Sequence, residues 1–153
     1  MEIRELNGAN GIGEKVLHNL LVRIESQWHP ELIGQEDALL EYSHKIYDKS
    51  SIIGVIVNDE IVGLASVYIN DHETKQAYLT YIALLESYTH MGFGAELLSH
   101  VIKLAMDECM KSIKLEVKKT NYRARAFYKK FGFSELCDAS ENSVFMIRYL
   151  KEK

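Results

Sequence analysis

Two periods alternate along this chain. Over Gly13–Glu25 the apolar residues Val16, Leu17, Leu20, Leu21 and Ile24 recur at helical spacing, and over Gln35–Asp48 the residues Leu39, Leu40, Ser43, Ile46 and Tyr47 share one side. That i, i+3, i+4 repeat predicts two amphipathic helices. The stretch between them, "SQWHPELIG" (Ser26–Gly34), lacks the repeat and reads as a loop. The texture then changes to short apolar runs. "SIIGVIV", a tight turn at Asn58–Glu60 and "IVGLASVYI" predict a hairpin, and "QAYLTYIAL" (Gln76–Leu84) a third strand. Weak alternation over Met1–Leu6 adds an edge strand.

The helical period returns over Gly92–Met110, with Phe93, Leu97, Leu98, Val101, Leu104 and Ala105 on the inward face. A short strand follows at Ile113–Lys119, where Ile113, Leu115 and Val117 alternate with polar residues. A last helix runs from Asn121, an N-cap residue type, to Phe131, with Gly132 in the position that closes it. Strands at Phe133–Cys137 and Val144–Leu150 end the chain. The order is β-αα-βββ-α-β-α-ββ. A strand–helix–strand crossover implies a parallel pair, so the expected fold class is α/β (an α+β mixed sheet), largely antiparallel with that pair in its centre. Residues 1–153 contain no repeat, no low-complexity tract and no linker, and read as a single domain.

Composition narrows the class without naming a function. With 47% hydrophobic and 26% charged residues the chain reads as an ordinary globular protein. Ile52–Val57, among its longest apolar runs, is far too short to span a bilayer. "MEIRELNG" lacks the basic-then-apolar layout of a signal peptide. Two cysteines, Cys109 and Cys137, argue against a disulfide scaffold or a thiolate zinc site. No His/Cys/Asp/Glu cluster has metal-ligand spacing. A cytoplasmic protein with no metal and no membrane partner is the simplest expectation; monomer and homodimer are both open.

Charge is uneven. Residues 1–60 carry five Lys/Arg against eleven Asp/Glu, whereas residues 111–130 carry eight Lys/Arg against one acid, Glu116. An acidic front and a basic patch suit a cationic substrate and an anionic cofactor. They read equally as solvated surface.

The first candidate chemistry is "HMGFGAELLSHVI" (His90–Ile102), a Gly-x-Gly at the mouth of a helix. Free N–H groups and the helix dipole make such a site attractive to anions. Position 97 is leucine, which excludes the Gly-x-Gly-x-x-Gly dinucleotide fingerprint, and no Gly-Lys-Ser/Thr ending completes a Walker loop. What is left is a phosphate cradle of another kind, or a tight strand-to-helix turn. Gly11-x-Gly13 is a second pair that reads as the start of the first helix.

Some thirty residues on, "NYRARAFYKKFGF" (Asn121–Phe133) supplies a partner motif. With "SYTHMGFGAELL" and the element order, it resembles the GNAT superfamily of acyl-CoA-dependent N-acyltransferases. That family's downstream motif, Asn-x-x-Ala-x-x-Phe/Leu-Tyr-x-Lys-x-Gly-Phe, falls on Asn121, Ala124, Phe127, Tyr128, Lys130, Gly132 and Phe133. Its cofactor loop, Arg/Gln-x-x-Gly-x-Gly/Ala, falls on Thr89–Gly94. The resemblance implies an acetyl-CoA site in a gap between two splayed parallel strands, Gln76–Leu84 and Ile113–Lys119. Backbone N–H groups of Met91, Gly92, Phe93, Gly94 and Ala95 would hold the diphosphate. Leu84 would meet the pantetheine arm and offer its N–H to the oxyanion. Asn121 would bond the arm, and Arg125 and Lys130 would face the 3′-phosphate. The basic stretch then belongs to the cofactor, not to a nucleic acid.

Tyr128 is the expected general acid. Amine attack on a thioester expels a thiolate, and a phenol of pKa about 10 can protonate it. On spacing alone, Tyr128 reads as a packing aromatic beside Ala124, Phe127 and Phe131. No base is evident. The strand before the Gly loop offers Gln76, Tyr78, Thr80, Tyr81 and Ile82, while His29, Glu31, His72 and Glu73 lie in loops within reach of the acceptor side and read more simply as surface residues. Positioning can supply much of the rate.

The chain departs from the family pattern at Thr89, His90 and Met91, ahead of the glycines. A side-chain contact from position 89 is in doubt there, and His90 either adds a ring N–H or faces solvent. The expected reaction is transfer of acetyl from acetyl-CoA to a primary amine by direct attack in a ternary complex. The acidic front, the Ser26–Gly34 loop and Trp28 would build the acceptor wall, suiting a small-molecule, protein or peptide amine. A catalytically silent acyl-CoA-binding module is the alternative.

Overall fold

The computed structural model describes residues 1–8, 11–29 and 36–151, with the side chain of Glu36 outside that set. The elements are β1 (Glu2–Glu5), α1 (Glu14–Trp28), α2 (Glu36–Lys49), β2 (Ser51–Val57), β3 (Glu60–Tyr68), β4 (Gln76–Leu84), α3 (Phe93–Asp107), β5 (Ser112–Lys118), α4 (Tyr122–Lys130), β6 (Ser134–Asp138) and β7 (Ser143–Tyr149). Among the described residues a 3₁₀ turn at Glu86–Tyr88 adds one further helical piece. One seven-stranded sheet has the order β1-β2-β3-β4-β5-β7-β6. All neighbours pair antiparallel except β4 and β5, which are parallel.

The expected elements form in the expected order. Several ends shift by one residue, α3 stops at Asp107, three residues short of Met110, and Ser26, Gln27 and Trp28 belong to α1, not to a loop. Proline disfavours helical backbone in the residue before it. His29, which precedes Pro30, leaves the helix at φ −136°, ψ 69°. The remainder of the predicted loop, and with it Glu31, lies outside the described residues.

The core is built by most of the stripe positions, with Val16 and Leu40 exposed instead. Leu17, Leu21 and Ile24 of α1 and Leu97, Leu98 and Val101 of α3 are buried with Ile53, Val55, Leu64 and Ala65 of the sheet. Each fully buried Leu or Ile contributes roughly 1.5–3 kcal/mol. The β2–β3 turn needs positive φ at both central residues. Asn58 and Asp59, residue types that tolerate it, supply 49° and 65°.

The centre of the sheet opens. β4 and β5 pair only at Gln76↔Ser112, Ala77↔Ile113 and Tyr78↔Lys114, although β4 runs six residues further. Thr80 is the cause: against β3 the register steps from Ser66↔Tyr81 to Val67↔Leu79, so Thr80 is an extra residue. A bulge bends its strand and interrupts pairing. The Tyr42 hydroxyl holds this one in place from α2, lying 2.9 Å from Thr80 Oγ1. Beyond Tyr78 the two parallel strands have no ladder between them. No helix of the described residues is long and apolar enough to cross a membrane.

Candidate functional site

The gap leaves backbone groups of β4 without a neighbouring strand. Leu85 N–H donates to Val62 O at 2.7 Å. In an antiparallel ladder, residues alternate between bonding the partner and pointing away. With Gly63 opposite Leu84, Leu85 and Ala83 bond β3, and the N–H and C=O of Ile82 and Leu84 face the gap. Gly63 lets β3 come this close: a Cβ there would strike the Leu84 side chain and lie 2.8 Å from Ala83 O.

A cavity of about 660 Å³ occupies the gap and its mouth. Its walls come from stretches far apart in the chain. On one side are Glu25, Trp28 and His29, from the end of α1. Three side chains staple that end to β4 and its exit. Tyr81 Oη–H donates to Glu25 Oε1 at 2.6 Å, Trp28 Nε1–H donates to Leu84 O at 2.7 Å, and Glu86 N–H donates to Gln27 Oε1 at 2.7 Å. Burial, then the bond to Glu25, pushes the Tyr81 phenol far up. Tyr81 therefore stays a donor, and Glu25 sits in the cavity wall as its acceptor.

On the other side lie the start of α3 and one face of α4. Gly92 is the N-cap of α3 at φ 81°, a left-handed conformation costly for any other residue. The first helical bond is Glu96 N–H to Gly92 O at 3.1 Å. The N–H groups of Phe93, Gly94 and Ala95 precede it, as the unsatisfied donors of a helix start. A Cβ on Gly92 would meet nothing within 4 Å, so the space above this loop is open.

α4 starts where expected, with Asn121 Oδ1 accepting from Ala124 N–H at 3.2 Å. Its Asn121, Ala124, Phe127 and Tyr128 line the cavity. Tyr128 is packed between rings, with Phe127 at 5.6 Å and Phe133 edge-on at 5.8 Å between centroids. Burial alone pushes its phenol up to about 12, because an apolar surround disfavours the charged form.

Of the residues singled out in the sequence, Leu84, Gly92, Gly94, Ala95, Asn121 and Tyr128 line one cavity, and His90 joins them. Met91, Phe93, Arg125 and Lys130 do not. Met91 is 59% exposed, and Phe93 packs against the core. Arg125 is engaged elsewhere: Nη1 donates to Lys119 O at 2.7 Å, and Nε and Nη2 both bond Glu135 Oε1. These bonds hold the Glu135 carboxyl below the usual range and tie α4 to β6. Arg123, which sequence reasoning passed over, is the guanidinium on the cavity wall. Its signal was available, since it precedes Phe127 by one helical turn. Glu25 was also passed over. It follows Leu21 by four residues, putting a carboxylate at the end of an apolar stripe. His72 and Glu73 lie in an exposed turn off the cavity.

A mixed sheet split at a parallel pair, with a helix N-terminus and a partly buried phenol at the split, defines an acyl-CoA-dependent transferase fold. The chain belongs to the acetyltransferase (GNAT) family, whose model matches residues 11–133. It is similar to N-alpha-acetyltransferase 50 of Danio rerio, 28% identical over 67% of this chain and 65% of that protein. It is also similar to the [ribosomal protein bS18]-alanine N-acetyltransferase of Haemophilus influenzae, 33% identical over 63% of this chain and 70% of that one. The fold is shared with a PaiA N-acetyltransferase of Thermoplasma acidophilum solved in complex with coenzyme A. There the TM-score is 0.72 at 18% identity, over 98% of this chain and 100% of that one. The match to the first of these relatives spans just under two thirds of that protein's length.

Proposed function

We propose that this protein transfers acetyl from acetyl-CoA to a primary amine by direct attack. The observation that carries the reading is the opened β4–β5 pair, with the free donors of α3 at its mouth and Tyr128 on its wall. The residues present fit the cosubstrate: a helix start bare of Cβ atoms at Gly92 and Gly94 suits a diphosphate, and β4 backbone that has no β5 partner beyond Tyr78 suits an amide-rich arm.

Acetyl-CoA would supply an acetyl thioester. The protein's part is to position it and to place charges and protons. The Leu84 N–H faces the gap and is the donor for an acyl oxygen as it gains charge. Tyr128 holds a proton at its hydroxyl for a departing thiolate. Glu25 sits at the α1 end of the same cavity, where its carboxylate suits an incoming ammonium group and the proton that group must lose. Between them, Trp28 closes over the Leu84 carbonyl.

The acceptor we place first is a peptide α-amine. Two relatives carry that chemistry in their names, one as an N-alpha-acetyltransferase and one as acting on an alanine of a ribosomal protein. A carboxylate flanked by Trp28 and Tyr81 also suits small cationic amines, which are the comparison class.

Trp28 is the only tryptophan in the chain and lines the cavity, so it reports on the binding step. Titration with acetyl-CoA is expected to change its emission and to give a single-site calorimetric isotherm, with CoA competing. No binding up to about 1 mM, the upper end of ordinary substrate constants, would overturn the reading.

A further inference from the structure

The motif position that carries Arg or Gln in the family resemblance is Thr89 here, and its hydroxyl is already committed, donating to Glu86 O at 2.8 Å. It offers no donor to a phosphate. Arg125 is no substitute, since Glu135 and the Lys119 carbonyl occupy it. The two cavity-lining side chains close to the loop that carry ring or guanidinium donors are His90 and Arg123, and they touch. Arg123 Nη2 lies 3.0 Å from His90 Nδ1.

That contact fixes the chemistry of both. A guanidinium only donates, so His90 Nδ1 is the acceptor and the ring proton sits on Nε2. His90 takes φ 68°, in the left-handed region, two residues before the Gly92 cap. The turn brings its ring across from the loop to the first turn of α4. No carboxylate pairs with Arg123 among the described residues, in contrast to Arg125 and Glu135. Arg123 N–H groups, His90 Nε2–H and the backbone N–H groups at the start of α3 stand together as one set of donors at the cavity mouth.

We propose that His90 and Arg123 form a side-chain clamp for the diphosphate of CoA, replacing the contact that Thr89 does not make. This rests on the acetyl-CoA reading. Arg123 supplies the charge-assisted bonds, and His90 is the positioning residue that holds the guanidinium over the Gly92–Gly94 loop. A guanidinium matches phosphate oxygens in pairs, and the α3 dipole adds to it at the same point.

The test is calorimetry of CoA, 3′-dephospho-CoA and pantetheine with wild type, Arg123→Ala, His90→Ala and the double variant. Both residues are exposed, and thermal melts confirm that the variants fold. Arg123→Ala is expected to weaken CoA and 3′-dephospho-CoA about tenfold or more and to leave pantetheine unchanged. His90→Ala weakens both nucleotides less, and the double variant resembles Arg123→Ala alone, because the pair acts as a unit. Unchanged CoA affinity in Arg123→Ala overturns the clamp. Sensitivity that disappears with 3′-dephospho-CoA also overturns it, since the contact would then be to the 3′-phosphate. Failure of wild type to bind CoA at all is a different result and falls on the acetyl-CoA reading itself.

Discussion

Tyr128→Phe is expected to lower kcat by about 10²–10⁴-fold, the ordinary range for loss of a positioned acid, while the dissociation constant of acetyl-CoA stays within about twofold. Phe keeps the ring contacts to Phe127 and Phe133, so the fold has no cavity to absorb. Only the hydroxyl goes, and burial alone perturbs that hydroxyl. The pH dependence follows with a definite sign. A phenol raised to about 12 keeps its proton across the neutral and mildly alkaline range. The wild-type rate should therefore show no loss from Tyr128 ionisation until the pH approaches that value. The folded state also binds this proton more tightly than the unfolded chain, so any stability linked to it is lost only as pH rises from about 10 towards 12. Steady-state kcat over pH, with acetyl-CoA binding measured alongside, checks both statements. An equal loss of kcat and of acetyl-CoA affinity would assign Tyr128 to binding instead.

Glu25→Gln is expected to reduce kcat/KM for a cationic amine by about 10–100-fold, with acetyl-CoA affinity unchanged. The amide oxygen of Gln still accepts from Tyr81, so the staple between α1 and β4 survives. What disappears is the negative charge and the proton acceptor at the far end of the cavity. Glu25→Ala separates the roles further, because it also frees the Tyr81 hydroxyl, buried and with its proton held fast. A loss confined to Glu25→Ala, with Gln behaving as wild type, would make Glu25 a staple and nothing more. The comparison is made on kcat/KM for one peptide and one small diamine.

Element order was legible because it rests on periodicity. Alternation in β5 and the 3.6-residue stripe of α3 each have one buried face, and burial enforces the register. The opening of the sheet was not legible from alternation. It depends on Thr80, one residue too many between Leu79 and Tyr81, and an extra residue shows only against the partner strand. The end of α1 was misread for a related reason. Trp28 continues the Leu21 and Ile24 spacing, but polar Ser26 and Gln27 and the following proline mask it, and what secures this end is Gln27 and Trp28 bonding to Glu86 N–H and Leu84 O, 59 and 56 residues away. The choice of arginine turned on helix phase. Arg123 and Arg125 stand about 200° apart around α4, so one faces the cavity and the other Glu135. Charge counts along the sequence treat them alike.

The central claim is that amine and acetyl-CoA meet in the β4–β5 gap and that acetyl moves between them. Thiol release from acetyl-CoA, followed against a panel of peptides with free α-amines, polyamines and amino-sugars, tests it most directly. The expected result is amine-dependent release of CoA thiol, matched mole for mole by acetylated amine and reduced at least about 10²-fold by Tyr128→Phe. Binding of acetyl-CoA with no amine-dependent thiol release across the whole panel would contradict it, and would leave a protein that holds the cosubstrate without using it.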